Sequence, residues 1–169
     1  MHIRKMVLCA SFAALMSISA WVCVPIPGVR FTMQTFALFL ALIMQGGRWG
    51  TVSVVLYLLL GAVGMPVFSG FQGGVGVLFG PTGGYIWGFL GAALVYWCTH
   101  RLWMKPVLSC MLGLLACYMV GTVWFAFAYS NGMGLGGILL ACVVPYILPD
   151  MGKMVLALFL SRRIGRYTV

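Results

Sequence analysis

Acidic residues are almost missing from this chain. Of 169 residues only Asp150 carries a carboxylate, and charged residues of both signs make up 7%. A soluble domain carries about a quarter. A chain that is 63% hydrophobic cannot cover a water-facing surface with so few charges, so a soluble fold is excluded and the bilayer becomes the solvent. Other absences narrow the function. No GxxxxGK[ST] is present, and Gly152-Lys153 lacks both the upstream glycine and the following Ser or Thr, so the chain does not hydrolyse nucleotide itself. The glycine-rich stretch 70–85 contains no GxGxxG. The six cysteines show neither CxxC nor zinc spacing and read as small apolar filler. The basic residues excess is scattered singly or in pairs, without the dense patch that nucleic acid requires. No linker, low-complexity tract or internal repeat divides the chain, which reads as one domain over 1–169.

What is present is a series of six apolar segments: Met6–Val24, Phe36–Gln45, Trp49–Val63, Gly83–Trp97, Val107–Tyr129, and a last from about Gly136 to Leu160 broken by Pro145 and Pro149. The first follows MHIRK and resembles a signal peptide, but it continues to Val24, long enough to span, and reads as a retained helix. Segments two to four fall short of the ~20 residues of a straight span. Their joins must carry backbone into the membrane, which is tolerated only where it is buried in protein or lines a cavity. The expected fold is therefore an all-α integral membrane protein, a bundle of six short, Gly/Pro-interrupted helices around an outward-facing pocket.

The positive-inside rule orients it. With both termini cytoplasmic, Arg4, Lys5, Arg48, Arg101, Lys105, Arg162, Arg163 and Arg166 fall inside, leaving Arg30 and Lys153 toward the outer side. Trp21, Trp49 and Trp103 sit near the interfaces. His2 and His100 fall at cytoplasmic ends, and the twelve methionines read as packing material.

Asp150 stands twelve residues before Arg162, which places it about 18 Å above the inner boundary at 1.5 Å per residue. A charge at that depth costs at least ~2.5–3.5 kcal/mol. Lys153 is three residues on and on a neighbouring helix face, so the two can meet. Pro149 suits the first position of a helix, which would put Asp150 in a first turn facing a cavity, with its N–H groups pointing the same way. One reading is a helix-start Asp with a snorkelling Lys. The other is a pocket for a small polar ligand, in which Asp150 accepts from N–H groups and Lys153 donates to a carbonyl or carboxylate.

Two loops offer further candidates. In "GFQGGVGVLFGPTGGY" the glycines indicate either a flexible loop or close backbone approach to a ligand or helix. Gly84, Tyr85 and the preceding Phe68 are its candidates for ligand contact. In "VPIPGVRFTMQT", Gln34 and Thr35 open helix two with donors and acceptors, and capping serves Thr35 equally well. Ala10 and Ala14 form a small-xxx-small pair on the first segment, suited to close helix approach inside the protein or with a partner.

Taken in order, "VRFTMQT", "LYLLLGAVGMPVFSG", "GGVGVLFGPTGGYIWGF" and the terminal Pro149-Asp150-x-x-Lys153 resemble the BioY family, the biotin-binding S components of energy-coupling factor (ECF) vitamin transporters. The resemblance covers nearly the whole chain. It implies a multi-pass protein of the cytoplasmic membrane that captures biotin from outside. It also implies partners, namely a transmembrane coupling subunit and a pair of ATP-hydrolysing subunits. No cofactor is implied, since biotin is the transported ligand, and no enzymatic activity. Ala10 and Ala14 match the family's Ala-xxx-Ala pair for docking the coupling subunit. Asp150, Lys153, Gln34, Gly84, Tyr85 and Phe68 become candidate biotin contacts, with Lys153 facing either the ureido carbonyl or the carboxylate tail. Arg30 departs from the uncharged residue usual in the family, and its outer position makes it a candidate for the carboxylate. Two rivals stay open: a solo ion-coupled transporter, for which Asp150 is the one available carboxylate, and an intramembrane enzyme, for which no second carboxylate or Ser–Lys set exists.

Overall fold

The computed structural model describes residues 2–24, 31–102, 104–129 and 134–165. Arg30, Trp103 and Arg166 lie outside the described residues. The fold is helical: α1 (His2–Trp21), α2 (Gln34–Ala62), α3 (Val75–Leu78), α4 (Gly83–Arg101), α5 (Pro106–Tyr129), α6 (Leu135–Cys142) and α7 (Val144–Gly165). Between α1 and α2, strands β1 (Cys23–Val24) and β2 (Phe31–Thr32) pair antiparallel. Among the described residues four stretches are long and apolar enough to cross a membrane: Ile3–Trp21, Gln34–Ala62, Pro106–Tyr129 and Gly136–Gly165.

The 29 residues of α2 are not a straight rod. Gly46 has φ 74° and ψ 172°, a conformation open essentially to glycine alone, and the chain reverses there. Gln45 Nε2 donates to Ser53 Oγ at 2.8 Å, a pair that a continuous helix would hold about 12 Å apart. A Cβ on Gly50 would sit 2.9 Å from Leu42 Cα. Residues 34–45 and 47–62 are therefore two antiparallel arms. They follow the second and third apolar segments, with "GGR" as the turn.

The last segment breaks in a different place from that expected. Val143 (φ −123°, ψ −56°) separates α6 from α7. Pro145 then occupies the first turn of α7, where a missing N–H is harmless, and Pro149 lies inside the helix. With Pro145 already opening the helix, Pro149 only removes the bond to the Pro145 carbonyl, a loss that membrane helices tolerate. Asp150 thus sits in the second turn rather than the first.

The core is apolar and tightly closed, with Met16, Leu38, Phe39, Val54, Tyr57, Phe68, Tyr96, Cys110 and Met154 nearly inaccessible. The outside is apolar too: Leu59, Leu115, Met119, Phe127, Leu148 and Val155 are exposed. A water-soluble protein would not leave such a surface, whereas lipid chains solvate it. The glycine-rich segment after α2 is held by side chains rather than left loose. Trp21 Nε1 donates to the Pro66 carbonyl at 2.8 Å, and its ring stacks on Phe71 at 5.1 Å. Phe68 inserts beneath Tyr57, and Tyr57 OH donates to the Val67 carbonyl at 3.2 Å.

Candidate functional site

Helices α2, α4, α5, α6 and α7 and the β2 strand line a partly open cavity. One wall is polar. Asp150 and Lys153, both more than nine-tenths buried, form an ion pair with Lys153 Nζ 2.7 Å from Asp150 Oδ1. Thr35, at the start of α2, donates to the same oxygen at 2.8 Å. Tyr118 of α5 donates to Oδ2 at 2.7 Å. Lys153 also donates to the Thr32 carbonyl at 2.6 Å and lies 3.9 Å from the Phe31 ring centroid. The β2 strand therefore closes over the lysine. Every charge is paired and hydrogen-bonded, the condition for carrying ions at membrane depth. Because α7 is continuous from Val144 to Gly165, the rise from Arg162 to Asp150 is helical throughout, about 18 Å at 1.5 Å per residue.

A second relay runs from the same strand. Thr32 Oγ1 donates to Gln34 Oε1 at 2.9 Å, and Gln34 Nε2 donates to the Tyr57 hydroxyl. Tyr57 continues to the Val67 carbonyl. The lysine, the β2 strand and the glycine-rich segment are thus joined by one buried set of hydrogen bonds.

The opposite wall is aromatic and sulfur-lined, with Tyr85, Phe89, Cys117 and Cys142. Its bonds are longer. Tyr85 OH lies 3.5 Å from both Thr122 Oγ1 and the Cys142 carbonyl. Together the walls can do two things chemically. The polar one offers an anionic acceptor beside cationic and hydroxyl donors, and the other an apolar slot for rings or chains.

Of the residues singled out from the sequence, Asp150, Lys153, Gln34 and Tyr85 come together on this cavity. Gly84 and Phe68 do not line it. Gly84 is buried in the α4–α5 contact, where a Cβ would meet Trp124 Cβ at 2.3 Å. Phe68 packs in the core, against a Gly61 whose Cβ would overlap its ring at 2.0 Å. Ala10 and Ala14 face outward on α1. Arg30 is outside the described residues. Sequence reasoning passed over Tyr118, Tyr146 and the Thr32 carbonyl. Tyr146 had a signal: with Asp150 and Lys153 it makes an i, i+4, i+7 stripe on one helix face. Tyr118 was one of four hydroxyls in an apolar run, with Ser109, Thr122 and Tyr129, and nothing local set it apart.

The fold and cavity define a multi-pass membrane protein built around a buried polar pocket. Comparisons with known proteins make this specific. The BioY family profile matches residues 1–168. A probable biotin transporter BioY of Pyrococcus horikoshii is 35% identical over 97% of this chain and 98% of its own length. The biotin transporter BioY of Thermotoga maritima is 35% identical over 90% of this chain and 80% of its own. The crystal structure of an S component for biotin from an ECF-type ABC transporter superposes with a TM-score of 0.87 at 26% identity, covering 98% of this chain and 92% of that one. The chain belongs to the BioY family.

Proposed function

We propose that this chain captures biotin and delivers it across the membrane as the S component of an ECF-type ABC transporter, with ATP hydrolysed on partner subunits. The observation that carries the reading is the buried Asp150–Lys153 pair on one wall of a cavity whose other wall is aromatic and sulfur-lined, in a chain whose relatives bear the name of biotin transporters. Biotin matches the two walls. Its ureido group has two N–H donors and a carbonyl, suited to Asp150 and to Tyr118 or Lys153, with Thr35 holding Asp150 and Gln34 bracing Thr32, whose carbonyl holds Lys153. Its fused sulfur ring suits the slot of Tyr85, Phe89 and Cys117. We assign the carboxylate tail to Lys153 or to Arg30. Gly84 and Phe68 act by shaping the wall rather than by touching the ligand.

The same reading takes 1–169 as one domain crossing the cytoplasmic membrane six times, with the two arms of α2 counted separately and both termini inside. The described cations Arg4, Lys5, Arg48, Arg101, Lys105, Arg162 and Arg163 support that orientation. Ala10 and Ala14, exposed and one turn apart, are assigned to docking the coupling subunit. The chain acts as a transporter subunit rather than an enzyme and needs no cofactor. Calorimetric titration of biotin into the detergent-solubilised chain tests this. Tight one-to-one binding is expected, weakened at least about tenfold by Asp150→Asn, the value of a charged hydrogen bond. A folded wild type that binds no biotin would overturn the ligand assignment. Uptake that survives ATP depletion but falls with the proton gradient would replace the ECF mechanism with a solo carrier.

A further inference from the structure

At the end of the bundle opposite β1–β2, two cations converge on one indole. Lys5 Nζ lies 5.4 Å from the Trp49 ring centroid and Arg48 Cζ lies 5.8 Å from it. Lys5 comes from α1 and Arg48 from the reversal of α2, so the notch forms between two elements. It is built rather than incidental. Cys9 Sγ donates to Gln45 Oε1 at 3.2 Å and approaches the Trp49 carbonyl at 3.5 Å. Ser53 Oγ donates to the same carbonyl at 3.2 Å. These bonds tie α1 to the turn and fix the Trp49 backbone. Among the described residues no carboxylate is set against the cations, since the one acidic residue, Asp150, is buried with Lys153. Arg4 is exposed beside Lys5 and adds a third positive charge. Two like charges held against one ring, flanked by a third and with no counter-ion among the described residues, suit an external anion. The ring between them is an amphipathic side chain of the kind that rests at headgroup level.

We infer that Lys5, Arg48 and Trp49 form a binding site for the phosphodiester headgroup of an anionic membrane lipid, with the indole against its glycerol backbone. The chemistry of a phosphate ester is shared by soluble metabolites. The lipid is the source favoured here because the notch lies at the end of membrane-crossing α1, where basic pockets meet lipid headgroups.

The test follows thermal unfolding of the whole chain in detergent while phosphatidylglycerol is added. The midpoint should rise with phosphatidylglycerol and not with equal phosphatidylcholine, through ligand linkage, and the rise should shrink with added salt. Lys5→Gln/Arg48→Gln should weaken the apparent lipid affinity roughly 30-fold, from two cations near the surface. Arg101→Gln/Lys105→Gln removes the same charge from the α4–α5 turn and should leave the response in place. The charge-keeping Lys5→Arg/Arg48→Lys should retain it too, separating the site from any folding defect. Equal losses in both Gln pairs would mean a diffuse field with no site, and would overturn the inference. So would an equal rise with soluble glycerol 1-phosphate or with phosphatidylcholine.

Discussion

The two walls of the cavity are made to different tolerances. On the α2–α7 side, the bonds that converge on Asp150 and Lys153 measure 2.6–2.8 Å and all involve a charge. On the side formed by α4 and α6, the Tyr85 hydroxyl has two partners, each at 3.5 Å. Charge-assisted bonds are short and roughly twice as strong as neutral ones, so the first wall is rigid and the second has slack. In the proposed reading, a ligand's orientation is set by the rigid wall and its shape is accommodated by the other. This division suits a carrier that must grip a polar group and later release it, because few contacts need to change.

The comparison breaks most visibly at the ion pair. Lys153→Ala leaves the Asp150 carboxylate buried with only hydroxyl donors, and removing one partner of a buried pair costs about 3–5 kcal/mol. Thermal unfolding should show a large loss of stability, with biotin binding lost as well. Asp150→Leu/Lys153→Met tests whether the pair serves the fold or the ligand. Replacing a buried pair with apolar residues of similar volume is often neutral or stabilising. The double variant should recover most of the stability and none of the binding. If it binds biotin as the wild type does, the rigid wall is structural only.

Tyr118→Phe is the next step down. It keeps the ring on the cavity and removes one donor from Asp150 Oδ2, while Lys153 and Thr35 still hold Oδ1. The loss expected is about 1.5–3 kcal/mol in biotin affinity, read by calorimetry, with the unfolding midpoint moved less than in Lys153→Ala. A stability loss as large as that of Lys153→Ala would show that the Tyr118 hydrogen bond stabilises the buried carboxylate as much as the lysine does.

Much of this was legible in the sequence because it is local. Apolar runs and their glycine and proline breaks mark the helices, and "GGR" is where α2 reverses, since only glycine adopts the Gly46 backbone. The Asp150–Lys153 pair was legible from spacing and from the rarity of charge. The Pro149 break was misplaced because a proline fits either a first turn or a membrane helix interior, and only the presence of Pro145 one turn earlier decides. Phe68 reads as a ligand platform in a glycine-rich loop. Its burial depends on Gly61, seven residues back, being bare enough to admit the ring. The Thr32 carbonyl could not be read at all, because every residue has one and only the fold says which is aimed at a lysine.

The slack wall should give the smallest effect. Tyr85→Phe removes a hydroxyl whose partners are at the outer limit of hydrogen-bond distance, and bonds that long contribute little. The ring stays against Gly121, where even a Cβ would meet it at 2.2 Å, so the packing that closes α4 on α5 is retained. Unfolding stability should therefore change by less than about 0.5 kcal/mol. Biotin affinity should change by no more than a few-fold, because no ligand charge is met on this side. Tyr85→Trp is the informative companion. A larger ring overfills a rigid wall but can be taken up by an adaptable one. If the wall yields, Tyr85→Trp should keep its stability and discriminate among ligands that differ in the sulfur ring. A loss of stability as large as that of Lys153→Ala would show that the two walls are equally rigid, and orientation and fit would then be set by the same contacts.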